Sequence, residues 1–126
     1  MNKDLEIVEK LLKFSDDIRY AAIYKNSELT SKEKRNSEDH SAAESDRYEE
    51  LLVNPALLKL ARQRGNIDCG GLRFVIVGYG NFFQLVQEIN NGHISICVQK
   101  SADLNKLPQQ IIAFLRETYN YYLYKM

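Results

Sequence analysis

The sequence lacks the features by which several classes of protein are recognised. Lys and Arg number 17, as do Asp and Glu, so the chain has no net charge to attract nucleic acid or an anionic membrane. No apolar run approaches the roughly 20 residues of a membrane-spanning helix. Only two cysteines occur, Cys69 and Cys97, and the first four residues do not resemble a secretory signal. These absences favour a cytoplasmic protein with free thiols and with no nucleic-acid or membrane partner.

The sequence does have regular hydrophobic patterning over 126 residues, the length of one domain. Apolar residues at helical spacing predict a first helix over residues 3–14. Two strands are predicted next, over residues 18–25 and 28–34, joined by a tight turn at Asn26-Ser27. The charged stretch 31–46 is predicted to contain a polar loop.

A middle helix is predicted after this loop, interrupted before Pro55. Asn54 has the residue type of an N-cap, and Pro55 suits the first position of a second helical piece. That piece is expected to end at Arg64, with Gly65 just past its end. The two pieces are either separate helices or one kinked helix.

Three strands of an antiparallel meander are predicted over residues 72–79, 82–89 and 93–99. Gly80-Asn81 and Asn91-Gly92 are the expected two-residue turns, and the second is expected to need positive φ at both residues. A last helix is predicted after Asp103. The Tyr-rich tail, 119–126, either extends that helix or forms a partner-facing aromatic segment.

Both faces of the predicted meander are rich in apolar residues. The predicted register places Leu85 opposite Val98 and Ile89 opposite Ile94, on a face where Gln87 is the polar exception. The second face is also apolar, with Gln84 and Ser95 expected toward its margins. Because an antiparallel sheet with one wet face would be polar there, this face must be covered by the middle helix or by another chain.

Several residue groups resemble sites but lack the required arrangement. Asp39-His40-Ser41 has the residue types of a hydrolytic triad, yet three consecutive side chains do not converge. His93 and Cys97 share one face of a strand, but zinc requires three or four ligands. The glycines of Cys69-Gly70-Gly71 precede a strand, whereas a phosphate cradle precedes a helix. We predict no catalytic, metal or cofactor site and no enzymatic activity.

The order helix, two strands, long helix, three-strand meander, helix resembles the roadblock/LC7 family of profilin-like α/β folds. The resemblance is carried by residues 19–24 (Arg-Tyr-Ala-Ala-Ile-Tyr), by the middle helix over 51–64, and by the strand over 71–77. It covers about residues 5–117. It implies an α+β fold with a five-stranded antiparallel sheet, the first and last helices on one face and the middle helix on the other.

The resemblance also implies a function. Family members are dimers that regulate or scaffold small Ras-like GTPases or signalling complexes without being enzymes. We therefore expect a homodimer that binds a small GTPase. Its expected interface lies on the middle helix and the third strand, at Leu51, Leu52, Leu57, Leu58, Val75, Val77 and Tyr79.

Two alternatives stay open at this stage. One is a small-ligand sensor of PAS-like or profilin-like architecture, in which Tyr79, Phe82 and Cys97 line a pocket. The other is a small enzyme whose acid and base residues are not recognisable from their spacing.

Overall fold

The computed structural model describes residues 3–34 and 43–119. A five-stranded antiparallel sheet lies between two layers of helix. The elements in chain order are α1 (Lys3–Phe14), β1 (Ile18–Lys25), β2 (Glu28–Glu33), α2 (Ala43–Tyr48), a π-helical turn (Glu49–Val53), α3 (Asn54–Asp68), β3 (Val75–Gly78), β4 (Phe82–Ile89), β5 (Gly92–Gln99) and α4 (Leu107–Tyr119). Residues 35–42, which include Asp39-His40-Ser41, and the tail beyond Tyr119 lie outside the described residues.

The strand order is β2-β1-β5-β4-β3, and all neighbouring strands are antiparallel. The predicted α+β fold with a five-stranded antiparallel sheet is thus confirmed. The bounds of α1, β1 and β4 are those predicted, and β2 is an edge strand, as its charged sequence indicates. Positive φ angles at Asn26 and Ser27 confirm the tight turn between β1 and β2.

The larger hydrophobic core lies between one face of the sheet and the pair α1 and α4. Ile7 and Leu11 of α1 and Ile111 and Leu115 of α4 are buried there against the strands. The middle helix, which comprises α2, the π-helical turn and α3, contacts the opposite face through side chains described below. The two helical layers therefore lie as the resemblance implies. In the described residues, no helix is both long and apolar enough to span a membrane.

The middle helix is continuous from Ala43 to Asp68 and does not restart at Pro55. Proline has no N–H to donate and its ring crowds the preceding turn, so a regular α-helix is disfavoured there. The chain widens by one π-helical turn, in which the Asn54 N–H bonds to the Glu49 carbonyl. The prediction that Asn54 is an N-cap is wrong, because Asn54 has helical φ and ψ.

The predicted helix end at Gly65 is also wrong. Gly65 lies inside α3, and its carbonyl accepts the backbone N–H groups of Cys69 and Gly71. A Cβ atom at Gly65 would lie 3.0 Å from the backbone of Gly71. This glycine therefore permits a close approach of the returning chain, and positive φ angles at Gly70 and Gly71 redirect that chain toward β3. β3 begins only at Val75, three residues later than predicted.

The turn between β4 and β5 differs from the predicted one. Ile89 pairs with Gly92 and Leu85 pairs with Ile96, so Asn90 and Asn91 form the turn. Only Asn91 has positive φ, and Gly92 is the first residue of β5. The register is shifted by two residues from the prediction. Because side chains alternate with a period of two, this shift leaves every residue on its predicted face.

Gly92 is required for a steric reason. A Cβ atom there would lie 1.9 Å from the carbonyl oxygen of Tyr24 on β1. We expect Gly92→Ala to lower the free energy of unfolding by about 2 kcal/mol or more, since β1 and β5 would have to separate. Gly80→Ala is the matched control, because its Cβ meets nothing within 4 Å. It should change the free energy of unfolding by less than about 0.5 kcal/mol. Urea unfolding measures both, and equal stability of the two variants would contradict this packing.

Candidate functional site

The middle helix presents an unusual stripe to the sheet. Glu50, Asn54 and Leu58 are spaced four residues apart, so they lie on one side of the helix, and all three are buried. Two of the three are polar, and one is an acid with 1% of its surface exposed. Buried groups of this kind need hydrogen-bond partners, and the sheet provides them.

Glu50 accepts three hydrogen bonds. The Tyr20 hydroxyl donates to Oε2 at 3.0 Å, and the Asn54 amide donates to Oε1 at 2.9 Å. Nε2 of His93 lies 2.7 Å from Oε1, and since a carboxylate oxygen only accepts, this ring nitrogen is the donor. Tyr20 comes from β1 and His93 from β5. One carboxylate therefore connects the helix to two strands of the sheet.

Gln84 of β4 extends this network. Its amide nitrogen donates to Glu49 Oε2 at 2.7 Å and to Asn54 Oδ1 at 3.3 Å. Its carbonyl oxygen accepts from the Ser95 hydroxyl at 2.9 Å. Gln84 and Ser95 were expected at the margins of this face, and that prediction is wrong, because both are fully buried beneath the helix. The polar network, defined as Tyr20, Glu50, Asn54, Gln84, His93 and Ser95, thus occupies the centre of the face.

A cleft of about 310 Å³ opens beside the polar network. Its walls are the first two turns of the middle helix on one side, and on the other the strands and the turn between β3 and β4. The lining residues are Tyr20, Ser45, Asp46, Glu49, Glu50, Tyr79, Gly80, Asn81, Phe82, Gln84 and Cys97. Three of them, Tyr79, Phe82 and Cys97, are the residues that the ligand-sensor alternative places around a pocket.

The cleft raises the pKa of three of its titratable side chains. Burial, with the negative charge and the hydrogen bond of Glu50, raises the pKa of the Tyr20 hydroxyl. Burial, with the nearby charges of Glu50 and Asp46, raises the pKa of the Cys97 thiol well above its usual range. Burial and a 2.8 Å hydrogen bond to Glu49 raise the pKa of Tyr79 to about 12. These three side chains therefore stay protonated at neutral pH.

A buried arginine lies next to the cleft. The register of β1 against β5 shifts between Ile18 and Tyr20, and Arg19 lies at this irregularity. Its guanidinium stands 5.2 Å from the centre of the Phe82 ring and donates to the Asn81 carbonyl and to Gln99. The arginine thus supports the wall that Phe82 forms.

The apolar side chains of the middle helix lie mostly away from the sheet. Leu52, Leu60 and Ile67 are 59%, 67% and 75% exposed, and Tyr48 is 60% exposed. We call these four residues the outer stripe. Leu52 belongs to the expected interface, whereas Leu60, Tyr48 and Ile67 do not.

The other expected interface residues divide into three groups. Leu58 is 3% exposed and packs within its own chain, so it is not available to a partner. Leu51, Leu57, Val75 and Val77 are half-buried. Tyr79 is exposed, but its hydroxyl bonds to Glu49 at the rim of the cleft.

The candidate metal ligands do not form a site in the described part of the chain. His93 and Cys97 share a face, as predicted, but His93 bonds to Glu50. Within residues 3–34 and 43–119, no group of three or more His, Cys, Asp and Glu side chains is placed to hold a metal ion.

Sequence reasoning missed Glu50 and Asn54, and one signal could have found them. Glu50, Asn54 and Leu58 form a single stripe by spacing alone, while Tyr48, Leu52 and Leu60 form another. The first stripe is the more polar of the two, and it is the one that packs against the sheet. The polar residues of the facing strands, Gln84 and Ser95, were the signal that a polar stripe covers this face.

No protein-family model matches the sequence, and a comparison with curated proteins finds no similar one.

The polar network makes a specific prediction for Tyr20. Tyr20→Phe removes one of the three donors to the buried Glu50 carboxylate, and we expect it to lower the free energy of unfolding by about 1–3 kcal/mol. Tyr24→Phe is the matched control on the same strand, because no hydrogen bond joins the Tyr24 hydroxyl to a described residue and the variant keeps the ring beside His93. It should change stability by less than about 0.5 kcal/mol. Urea unfolding of both variants compares them, and a neutral Tyr20→Phe would argue against the hydrogen bond.

Proposed function

We propose that this protein is a non-enzymatic interaction module that forms a cytoplasmic homodimer and regulates or scaffolds a small Ras-like GTPase. The observation that carries the dimer is the outer stripe on the middle helix. Large apolar side chains that are exposed together usually mark a surface for another chain. The GTPase partner comes from the resemblance to the roadblock/LC7 family.

The third strand leaves further apolar surface open. β3 is the edge of the sheet next to β4, so one side of its backbone is not paired within the sheet. Val75 and Val77 pair with Val86 and Gln84, which places them on the face that the middle helix covers. Both valines remain half-buried. A second copy that packed along the outer stripe and β3 would cover the apolar surface that one chain leaves open.

A second candidate function is a small-ligand sensor, and the cleft favours it. Pockets of a few hundred Å³ with polar groups converging on an aromatic wall are typical of small-molecule sites. The two functions are compatible, since the cleft and the outer stripe are different surfaces.

The dimer is tested with charges on the outer stripe. We expect the protein at micromolar concentration to have twice the 14.6 kDa chain mass by light scattering. Leu52→Glu and Leu60→Glu should each give a folded monomer, because a carboxylate buried at an interface without a partner is costly. Circular dichroism should be unchanged, since both side chains are exposed in the single chain. Tm should fall to that of the monomer, because loss of the dimer removes the stability that association adds.

Gln110→Glu is the control, because it adds the same charge to an exposed position on α4, in the opposite layer. It should leave the dimer intact. Leu58→Glu is unsuitable, since Leu58 is part of the core of its own chain and the variant would unfold. A wild-type mass of one chain would refute the homodimer.

The GTPase partner is tested by capture. Immobilised wild-type protein should retain a small GTP-binding protein from host lysate, identified by mass spectrometry. More should be retained with either GDP or a non-hydrolysable GTP analogue, since a regulator must distinguish the two states. The Leu60→Glu variant is the control bait and should retain less. Absence of any GTP-binding protein from a dimeric bait contradicts the GTPase partner and leaves the dimer standing.

A further inference from the structure

The side chains that line the cleft indicate the charge of the ligand that it would bind. This inference depends on the second proposed function, a ligand-binding role for the cleft, and it names the class of ligand. The volume of about 310 Å³ lies at the lower end of the range for small-molecule sites. A compact organic molecule fits such a space.

The charged residues that line the cleft are all acidic. Asp46 and Glu49 are three residues apart on the first two turns of the middle helix, and Glu50 lies at the base of the cleft. No lysine or arginine belongs to the described lining. The neighbouring cation, Arg19, is stacked on Phe82 and hydrogen-bonded to Asn81 and Gln99, and its single positive charge is outnumbered by the three acids of the lining. A positively charged guest is therefore favoured over a neutral or negative one.

The opposite wall is aromatic. Tyr20, Tyr79 and Phe82 line it, and the rings of Tyr79 and Phe82 meet edge to face with their centres 5.5 Å apart. Ring faces attract cations, and the position of Arg19 over Phe82 is an example within this protein. Carboxylates on one wall and aromatic rings on the other are the combination that recognises ammonium groups.

The structure distinguishes an organic cation from a metal ion. Among the residues that the structure describes, the acidic side chains do not come together as a group of three or more metal ligands. Glu50 is already engaged by three donors, and Glu49 Oε2 by Tyr79 and Gln84. We propose that the cleft binds a small organic cation, with its ammonium group held between Asp46 and Glu49 and the rings of Tyr79 and Tyr20.

Probes matched in shape but different in charge test this proposal. Choline and n-butylamine supply a quaternary and a primary ammonium group. 3,3-Dimethyl-1-butanol is the neutral isostere of choline, 3,3-dimethylbutanoate is an anion of similar shape, and Mg²⁺ tests for a metal. The readout is the shift of backbone amide signals by two-dimensional NMR on the full chain, with Gly80 and Asn81 reporting on the cleft. We expect saturable shifts there with at least one ammonium probe and none with the isostere, the anion or Mg²⁺.

Variants locate the binding. Asp46→Asn and Glu49→Gln keep the size of each side chain and remove its charge, and each should weaken ammonium binding about tenfold. Glu117→Gln is the control, because this exposed acid lies on α4 in the opposite helical layer, and it should bind normally. Normal binding by both cleft variants overturns the proposal, since the charge that it invokes would then be irrelevant. Amide spectra verify that each variant is folded.

The outcomes separate this proposal from the function on which it depends. If the neutral isostere, the anion or Mg²⁺ shifts Gly80 and Asn81 more than the ammonium probes do, the cleft binds a ligand but the proposal of an organic cation is wrong. Absence of shifts with both ammonium probes also overturns it. The sensor function itself fails if a fragment library of mixed charge also produces no saturable shift at the cleft.

Discussion

The carboxylate of Glu50 connects parts of the protein that lie far apart in the sequence. It receives hydrogen bonds from Tyr20 on β1, from Asn54 one helical turn later, and from His93 on β5. A buried carboxylate without such donors would be strongly destabilising, so the helix has one favourable position on the sheet. The cleft, the exposure of the outer stripe and the hydrogen bonds of Gln84 all follow from that position.

Because of the π-helical turn, the adjacent acids Glu49 and Glu50 both reach the sheet. Pro55 disfavours regular hydrogen bonding in the preceding turn, and the wider turn over Glu49–Val53 resolves the conflict. Glu49 then reaches Tyr79 and Gln84, while Glu50 reaches Tyr20 and His93. A local backbone constraint, one proline in a helix, thereby shapes both the polar network and the rim of the cleft.

Much of the fold could be predicted because hydrophobic periodicity reports backbone geometry directly. The bounds of α1, β1 and β4 and the faces of the meander follow from periods of 3.6 and 2. The wrong prediction of the turn at Asn91-Gly92 left the predicted faces correct, since the register of β4 and β5 shifts by an even number of residues. The site could not be predicted in the same way. Patterning assumes that buried residues are apolar, and the middle helix buries Glu50 and Asn54 while exposing Leu52 and Leu60.

The two glutamines of β4 show why a polar network of this kind specifies the fold more than it stabilises it. Gln84 faces the middle helix, and its hydrogen-bond partners all lie on that side of the sheet. Gln87 faces the apolar core and bonds to none of the described residues. An odd slip of β4 or β5 would move Gln84, His93 or Ser95 into that apolar core. Each would then lose its partners at a cost of about 1–3 kcal/mol. The network therefore penalises the wrong registers, while its own gain over an apolar replacement is small.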